Sequence, residues 1–344
     1  MRKSKVQNFD YDLPEELIAQ EPLPDRDRSR VLVLYRSTGQ VEHSHFYRLP
    51  EYLQEGDLLV FNDTKVLPAR FWGCRKQTGG KVEFLLLREI EDKKWEVLCS
   101  PGRKARPGDR FVFEQKNLEA TILDQTEQGT RLVQFETGED FKAMLNQLGQ
   151  MPLPPYIKKK LEEPDRYQTI YASQNGSAAA PTAGLHFTAQ VFHSLEQIGV
   201  EKAFLTLHVG LGTFRPVKTE FIEDHNMHRE YFELPEHTAE KINQAKERGS
   251  RVIAVGTTVC RVLESAGVDR NGLTSCAGET DLFIYPGYHF QVVDAMITNF
   301  HLPKSTLLMM ICAFAGKENV FSAYRQAIER RYRFFSFGDC MLIL

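Results

Sequence analysis

Four short segments concentrate the groups able to move protons or hold a polar ligand: AAPTAGLHFT (179–188), TLHVGLGTFRP (206–216), GETDLFIYPGY (278–288) and ITNFHLPKST (297–306). Each lies at the end of an apolar stretch and breaks at glycine or proline, so each presents a polar side chain at a bend. His186, His208 and His301 are the acid–base candidates, because imidazole changes charge near neutral pH without a perturbed environment. A core histidine satisfied by backbone hydrogen bonds is the competing reading for each. Gly210, Leu211, Gly212 and Thr213 look like a phosphate-cradling loop. A dinucleotide fingerprint, however, needs a third glycine where Arg215 stands and runs straight into a helix, whereas Pro216 extends the residue before it.

Other chemistries find little support. His225 and His228 form an H-x-x-H, but no third ligand follows at motif spacing and H-E-x-x-H is absent, so a metal-free site is expected. No G-x-S-x-G elbow exists, which argues against a covalent hydrolase. The six cysteines lie far apart without a C-x-x-C pair, which fits reduced, buried thiols.

The elements that must position these groups are legible in outline. At 344 residues, 42% hydrophobic and 26% charged, the chain has room for two domains with ordinary soluble composition. Residues 1–7 are basic but lack an apolar core, and no window approaches the ~20 apolar residues of a membrane span, so a cytoplasmic protein is expected. From Arg70 to Glu136, six short strands separated by turn residues predict a small antiparallel barrel. Strand and short-helix signals precede it, with Pro14 and Pro50 as helix starters, and alternating strand and helix signals follow the proline-rich MPLPPY. RVIAVGTTVCRVLESAG predicts a buried strand, a Gly256 turn, Thr257 as N-cap and a helix stopped by Gly267. The pattern predicts an α/β fold: a mixed-sheet domain built from both chain ends (1–65 and 151–344), with an inserted six-stranded antiparallel β-barrel (66–150).

The net charge of −3 exerts no global pull on nucleic acid, so a polyanion would be met by local clusters. Three exist: Arg26, Arg28 and Arg30; Arg103, Lys104 and Arg106; and Lys158, Lys159 and Lys160. Between Val66 and Thr137, 13 basic residues face 11 acidic ones, a slight positive excess.

The strings LVFNDTKVLPAR, MPLPPYI, DRYQTIYA, AAPTAGLHFT, TLHVGLGTFRPV, MHRE, AVGTT, FIYPGY, DAMITNFHLPKSTLLM and YRFFSFGDCML together closely resemble the S-adenosylmethionine:tRNA ribosyltransferase-isomerases. The resemblance runs from Phe9 to Leu344, and Phe337 stands where tyrosine is common in that family. It implies an α/β domain carrying an inserted barrel. It also implies a reaction in which the ribosyl part of S-adenosylmethionine, a consumed cosubstrate, is moved onto the aminomethyl nitrogen of 7-aminomethyl-7-deazaguanine at the tRNA wobble position. Rearrangement then gives epoxyqueuosine, with adenine and methionine released.

That chemistry assigns expected roles. His208 or His186 takes a proton from the carbon beside the sulfonium, His301 or Asn299 stabilises the departing adenine, and Asp281 accepts a proton from the attacking amine. Phe187, Phe214, Tyr285 and Phe300 are the aromatic faces available to the sulfonium. Arg215 or the helix start at Thr257 and Thr258 would hold the methionine carboxylate. Thr182, Gly184, Gly210, Gly212 and Thr213 complete the expected cosubstrate contacts, and the Arg26–Arg30, Arg103–Lys104 and Lys158–Lys160 clusters the tRNA contacts. No metal is expected, and a monomer is the default. Two competing readings are a non-enzymatic RNA-binding protein that stacks bases on Trp72, Phe84 and Phe111, and a nucleotide-dependent oxidoreductase or hydrolase.

Overall fold

The computed structural model describes residues 3–113, 117–126, 129–210, 217–269 and 272–344. The chain forms two compact units: residues 1–64, 154–174 and 181–344 make one, and residues 65–153 with 175–180 make the other. The short segment 175–180, expected with the first unit, thus groups with the second.

The first unit is organised by a nine-stranded mixed sheet. Its strand order is Cys276–Thr280, Glu230–Leu234, Glu201–Leu207, Leu58–Asn62, Val252–Val255, Ala295–Asn299, Cys340–Ile343, Arg30–Leu34 and Val41–His45. Four consecutive central strands, Glu201–Leu207 through Ala295–Asn299, run parallel to one another. Leu58–Asn62, Val252–Val255 and Ala295–Asn299 are buried at every position. Such unbroken burial belongs to strands covered on both faces. Val31, Val33, Leu59, Phe61, Ile253, Val255, Ile297 and Leu342 share one core with Phe46 and Leu49, and with Phe187, Val191 and Leu195. Helices Glu236–Glu247 and Thr257–Ala266 pack on Leu58–Asn62 and Val252–Val255.

Helix boundaries follow local chemistry, with two corrections. Ser305 caps Thr306–Ala315 by accepting from the Leu308 N–H at 3.2 Å, as the sequence predicts. The helix expected to be capped by Thr257 instead has Gly256 at its N-cap, at φ 99°, and Thr257 is its first turn. Positive φ at the sharp exit from the strand excludes a side chain more strongly than capping favours threonine. Pro50 lies inside the 3-10 turn Phe46–Tyr52 rather than starting it.

The second unit contains the closed barrel, in the order Arg131–Glu136, Lys94–Ser100, Lys81–Glu91, Arg70–Arg75, Arg110–Phe113 and Leu118–Gln125, with antiparallel neighbours throughout. Phe84 and Phe111 are fully buried with their rings 5.0 Å apart, so they are core rather than a base-stacking platform. Among the described residues, no helix is long and apolar enough to cross a membrane.

Candidate active site

Because the four central strands are parallel, their C-terminal ends share one edge of the sheet. Ligands of open α/β sheets bind at that edge. Here it brings together Asn62, Leu207, Val255 and Asn299, with the residues that leave each strand. Asn62 stitches the edge: its Oδ1 accepts from the Thr64 and Leu207 N–H groups at 3.1 and 3.0 Å. Its Nδ2 donates to the Leu207 carbonyl at 3.0 Å and to Thr258 Oγ1 at 3.3 Å. Fully buried, Asn62 thus ties two strand ends to a helix start with every amide group satisfied.

His208 follows directly on strand Glu201–Leu207. Its Nδ1 lies 2.8 Å from Thr64 Oγ1, and its ring stacks on Tyr231 with centroids 5.9 Å apart. Burial lowers its pKa, and the charges of Asp63 and Glu233 oppose that shift without cancelling it. Asp63 is held by Thr206 Oγ1 at 2.7 Å and Ser173 Oγ at 2.9 Å. The result is a neutral imidazole at pH 7, fixed through one nitrogen, whose Nε2 has no hydrogen-bond partner among the described residues. Such a group can accept a proton.

His186 ends the 3-10 turn Thr182–His186 and is buried. Its Nδ1 lies 2.7 Å from Ser29 Oγ, which itself donates to the Arg26 carbonyl at 3.2 Å. Its Nε2 faces Asn299 Nδ2 at 3.3 Å, and Asn299 Oδ1 accepts from Thr182 Oγ1 at 2.8 Å. These directions agree only with the proton on Nδ1, which leaves Nε2 as the acceptor. Burial pushes the imidazole down to about 4. His186 also lines an open cleft with Arg26, Ser29, Arg166 and Ser336. Ala183 lies 3.6 Å from where a Cβ on Gly256 would sit, which places this turn beside the start of helix Thr257–Ala266.

The remaining expected residues divide sharply. His301 is a core histidine: its ring nitrogen meets Thr298 Oγ1 at 2.8 Å, its N–H donates to the Tyr324 hydroxyl, and burial alone pushes it down to about 3. Phe187 and Phe300 are fully buried among other rings and present no face to a ligand. At Gly184 a Cβ would stand 1.9 Å from the Tyr171 hydroxyl, so the absent side chain makes room for Tyr171 rather than for a ligand. Gly210 donates its N–H to Glu230 Oε1 at 2.8 Å, and a Cβ there would meet nothing closer than 3.6 Å. Asp281 is exposed beside Arg229 at 3.5 Å. Tyr285 packs at 5.0 Å on Phe283. Thr257 is buried at the helix start. Gly212, Thr213, Phe214 and Arg215 lie outside the described residues.

The basic clusters differ in availability. Arg30 is pinned by Asp339 and stacks 4.2 Å above Tyr332, while Arg26 donates to the carbonyls of Gln168 and Asp165. Lys158 and Lys159 pair with Glu15 and Glu21 at the surface, and Arg28 sits 3.5 Å from Asp25. Arg103, Lys104 and Lys160 are exposed. Among the described residues, no group of three or more His, Cys, Asp or Glu is arranged to hold a metal ion.

Three groups escaped the sequence reading. Asn62 was visible only as part of a longer string. Glu230 and Arg261 form a buried ion pair, and Arg261 is further fixed by the carbonyls of Leu282 and Thr280. An arginine in the apolar run TTVCRVL was the available signal for that pair. Arg166, on the cleft wall, carried no sequence signal beyond its string.

The family model described as queuosine biosynthesis protein matches residues 6–343. A curated S-adenosylmethionine:tRNA ribosyltransferase-isomerase from Natranaerobius thermophilus is 59% identical over 340 residues, covering 98% of this chain and 99% of its own. One of the same name from Carboxydothermus hydrogenoformans is also 59% identical, over 99% of this chain and all of its own. Among solved structures, an S-adenosylmethionine tRNA ribosyltransferase from Thermotoga maritima is similar with a TM-score of 0.57 and 41% identity, over 98% of this chain and 100% of its own.

Proposed function

The chain belongs to the queuosine biosynthesis protein family, and on that premise we propose that it is an S-adenosylmethionine:tRNA ribosyltransferase-isomerase. It moves the ribosyl group of S-adenosylmethionine onto the aminomethyl nitrogen of 7-aminomethyl-7-deazaguanine in tRNA and isomerises it, giving epoxyqueuosine with release of adenine and methionine. The observation that carries this reading is near-full-length identity of 59% to enzymes of that name. The sheet edge described above supports it with two neutral imidazoles beside strand ends. Neither competing reading is favoured by any feature of the site.

His208 is the base in this reading, because its Nε2 has no partner among the described residues and its ring is held by Thr64. Deprotonation beside the sulfonium makes an ylide that opens the ribose and expels adenine. Asn299, on the next parallel strand but two, supplies a hydrogen bond at the site, and His186 is a second acceptor beside it. His301 is too firmly held in the core to take a direct part. Asp281 remains the proposed acceptor for the amine proton, and Tyr285 the aromatic contact. Exposed Arg28, Arg103, Lys104, Lys158, Lys159 and Lys160 are the proposed tRNA contacts. The ion pairs made by Lys158 and Lys159 are solvent-exposed surface pairs, readily exchanged for phosphates. A cytoplasmic monomer completes the reading.

The test is incubation with labelled S-adenosylmethionine and tRNA carrying the precursor base. Release of adenine and methionine that depends on the tRNA is expected. Release of neither, with both substrates intact, overturns the reading.

A further inference from the structure

We propose that the cleft beside His186 is the site of the cosubstrate's methionine carboxylate, with Arg166 and Arg26 as its cationic walls. The inference rests on the enzymatic reading above and adds a ligand subsite to it.

Both guanidiniums line the same cleft. Arg166 is fixed by the carbonyls of Pro24, at 3.1 Å, and Leu23. Arg26 is fixed by those of Gln168 at 2.7 Å and Asp165 at 3.1 Å. Backbone carbonyls orient a guanidinium but do not neutralise it. Asp165 acts on Arg26 only through space, and Arg166 repels it. Arg333 adds a positive charge felt by His186, is itself offset by Asp339 and Glu21, and donates from its guanidinium to the Glu21 carbonyl.

One N–H group of the cleft wall, Arg166 Nε, is buried without an acceptor among the described residues. A buried donor without a partner is unfavourable, as is the repulsion between Arg26 and Arg166, and an oxyanion between these two relieves both. The rest of the lining suits an amino-acid ligand. Leu23, Leu185 and Phe337 offer apolar walls for methylene and methyl groups, and Ser29 and Ser336 are short polar groups. The partial burial of both arginines fits a small ligand better than a polymer backbone, which meets exposed cations. His186 on the same wall brings this subsite next to the residues of the sheet edge.

The experiment measures the KM for S-adenosylmethionine and the inhibition constant of its decarboxylated analogue, in turnover with precursor-bearing tRNA, for the wild type and for Arg166→Gln, Arg166→Lys and Arg26→Gln. The wild type should favour the carboxylated compound by about 10- to 100-fold, the range of a charge-assisted hydrogen-bond set. Arg166→Gln should erase most of that preference by weakening S-adenosylmethionine alone, with tRNA affinity in filter binding unchanged. Arg166→Lys, which keeps charge and loses the fork, should fall between, and Arg26→Gln serves if Arg166→Gln does not fold.

Variants that keep the wild-type preference overturn the proposal while the enzymatic reading stands. Loss of tRNA affinity with an unchanged KM also overturns it and reassigns the cleft to a phosphate. Loss of the preference on Arg215→Gln instead of Arg166→Gln places the carboxylate elsewhere. A wild type with no turnover overturns both readings together.

Discussion

The Glu230 carboxylate and the Arg261 guanidinium form an ion pair removed from solvent, with side chains only 3% and 4% exposed. The second oxygen of Glu230 accepts the Gly210 N–H, so one carboxylate joins strand Glu230–Leu234, helix Thr257–Ala266 and the chain just beyond strand Glu201–Leu207. Removing one partner strands the other charge in the interior. Glu230→Leu and Arg261→Leu should therefore each lower stability by about 3–5 kcal/mol, while the double variant should recover much of it. Urea midpoints of the two singles and the double test this, and a double variant as unstable as the summed singles would contradict it.

Close approach, not ligand binding, explains Gly184. Gly184→Ala would drive a methyl group to 1.9 Å from the Tyr171 hydroxyl, an overpacking expected to cost about 1–3 kcal/mol. Tyr171→Phe in the same chain removes the clashing oxygen and should return part of that loss. A Gly184→Ala protein with an unchanged melting temperature would show that the turn yields freely.

Acid should weaken the fold before carboxylates begin to protonate. His186 and His301 are held down to about 4 and about 3, below the ordinary 6.5, because burial disfavours their charged forms. Both are neutral in the folded chain at pH values where the unfolded chain already binds protons. Their contribution is complete above about pH 6.5 and is lost as pH falls from there toward the folded values. Each group adds a slope of ~1.4 kcal/mol per pH unit in that window. Urea midpoints should be level from pH 8 to 7 and fall between 6.5 and 5, with a shallower slope in His301→Gln.

Catalysis should depend on His208 more than on any other histidine. His208→Gln is expected to reduce turnover by about 10²- to 10⁴-fold, the usual range for a lost general base. Because burial lowers its pKa, the acid limb of kcat/KM should lie below pH 6.5, with activity lost as the imidazole gains its proton. Thr64→Val should reduce kcat by a smaller factor and Thr64→Ser should restore it, since Thr64 acts by holding Nδ1. Near wild-type turnover of His208→Gln would remove it from the mechanism.

Local chemistry was readable from the chain alone. The six barrel strands, the Gly256 turn and the Ser305 cap follow from side-chain alternation and from residues suited to particular backbone angles, all decided within about ten neighbours. The long strings that signal the family are also properties of sequence. Even locally, competition misled the reading, as when the positive φ at Gly256 took the cap position from Thr257.

What the sequence determined was therefore the set of elements, the bends that carry polar groups and the family. The tertiary structure alone decided which of those groups meet. Thr64 and His208, Asn299 and His186, and Arg30 and Asp339 are separated by 144, 113 and 309 residues, and no periodicity reports such pairings. Three histidines at similar bends thus have different fates. Parallel pairing of four strands puts His208 and Asn299 on one edge, packing against Tyr324 buries His301, and the turn at Thr182–His186 delivers His186 to a cationic cleft. Burial, which sets their protonation, is a property of the packed whole.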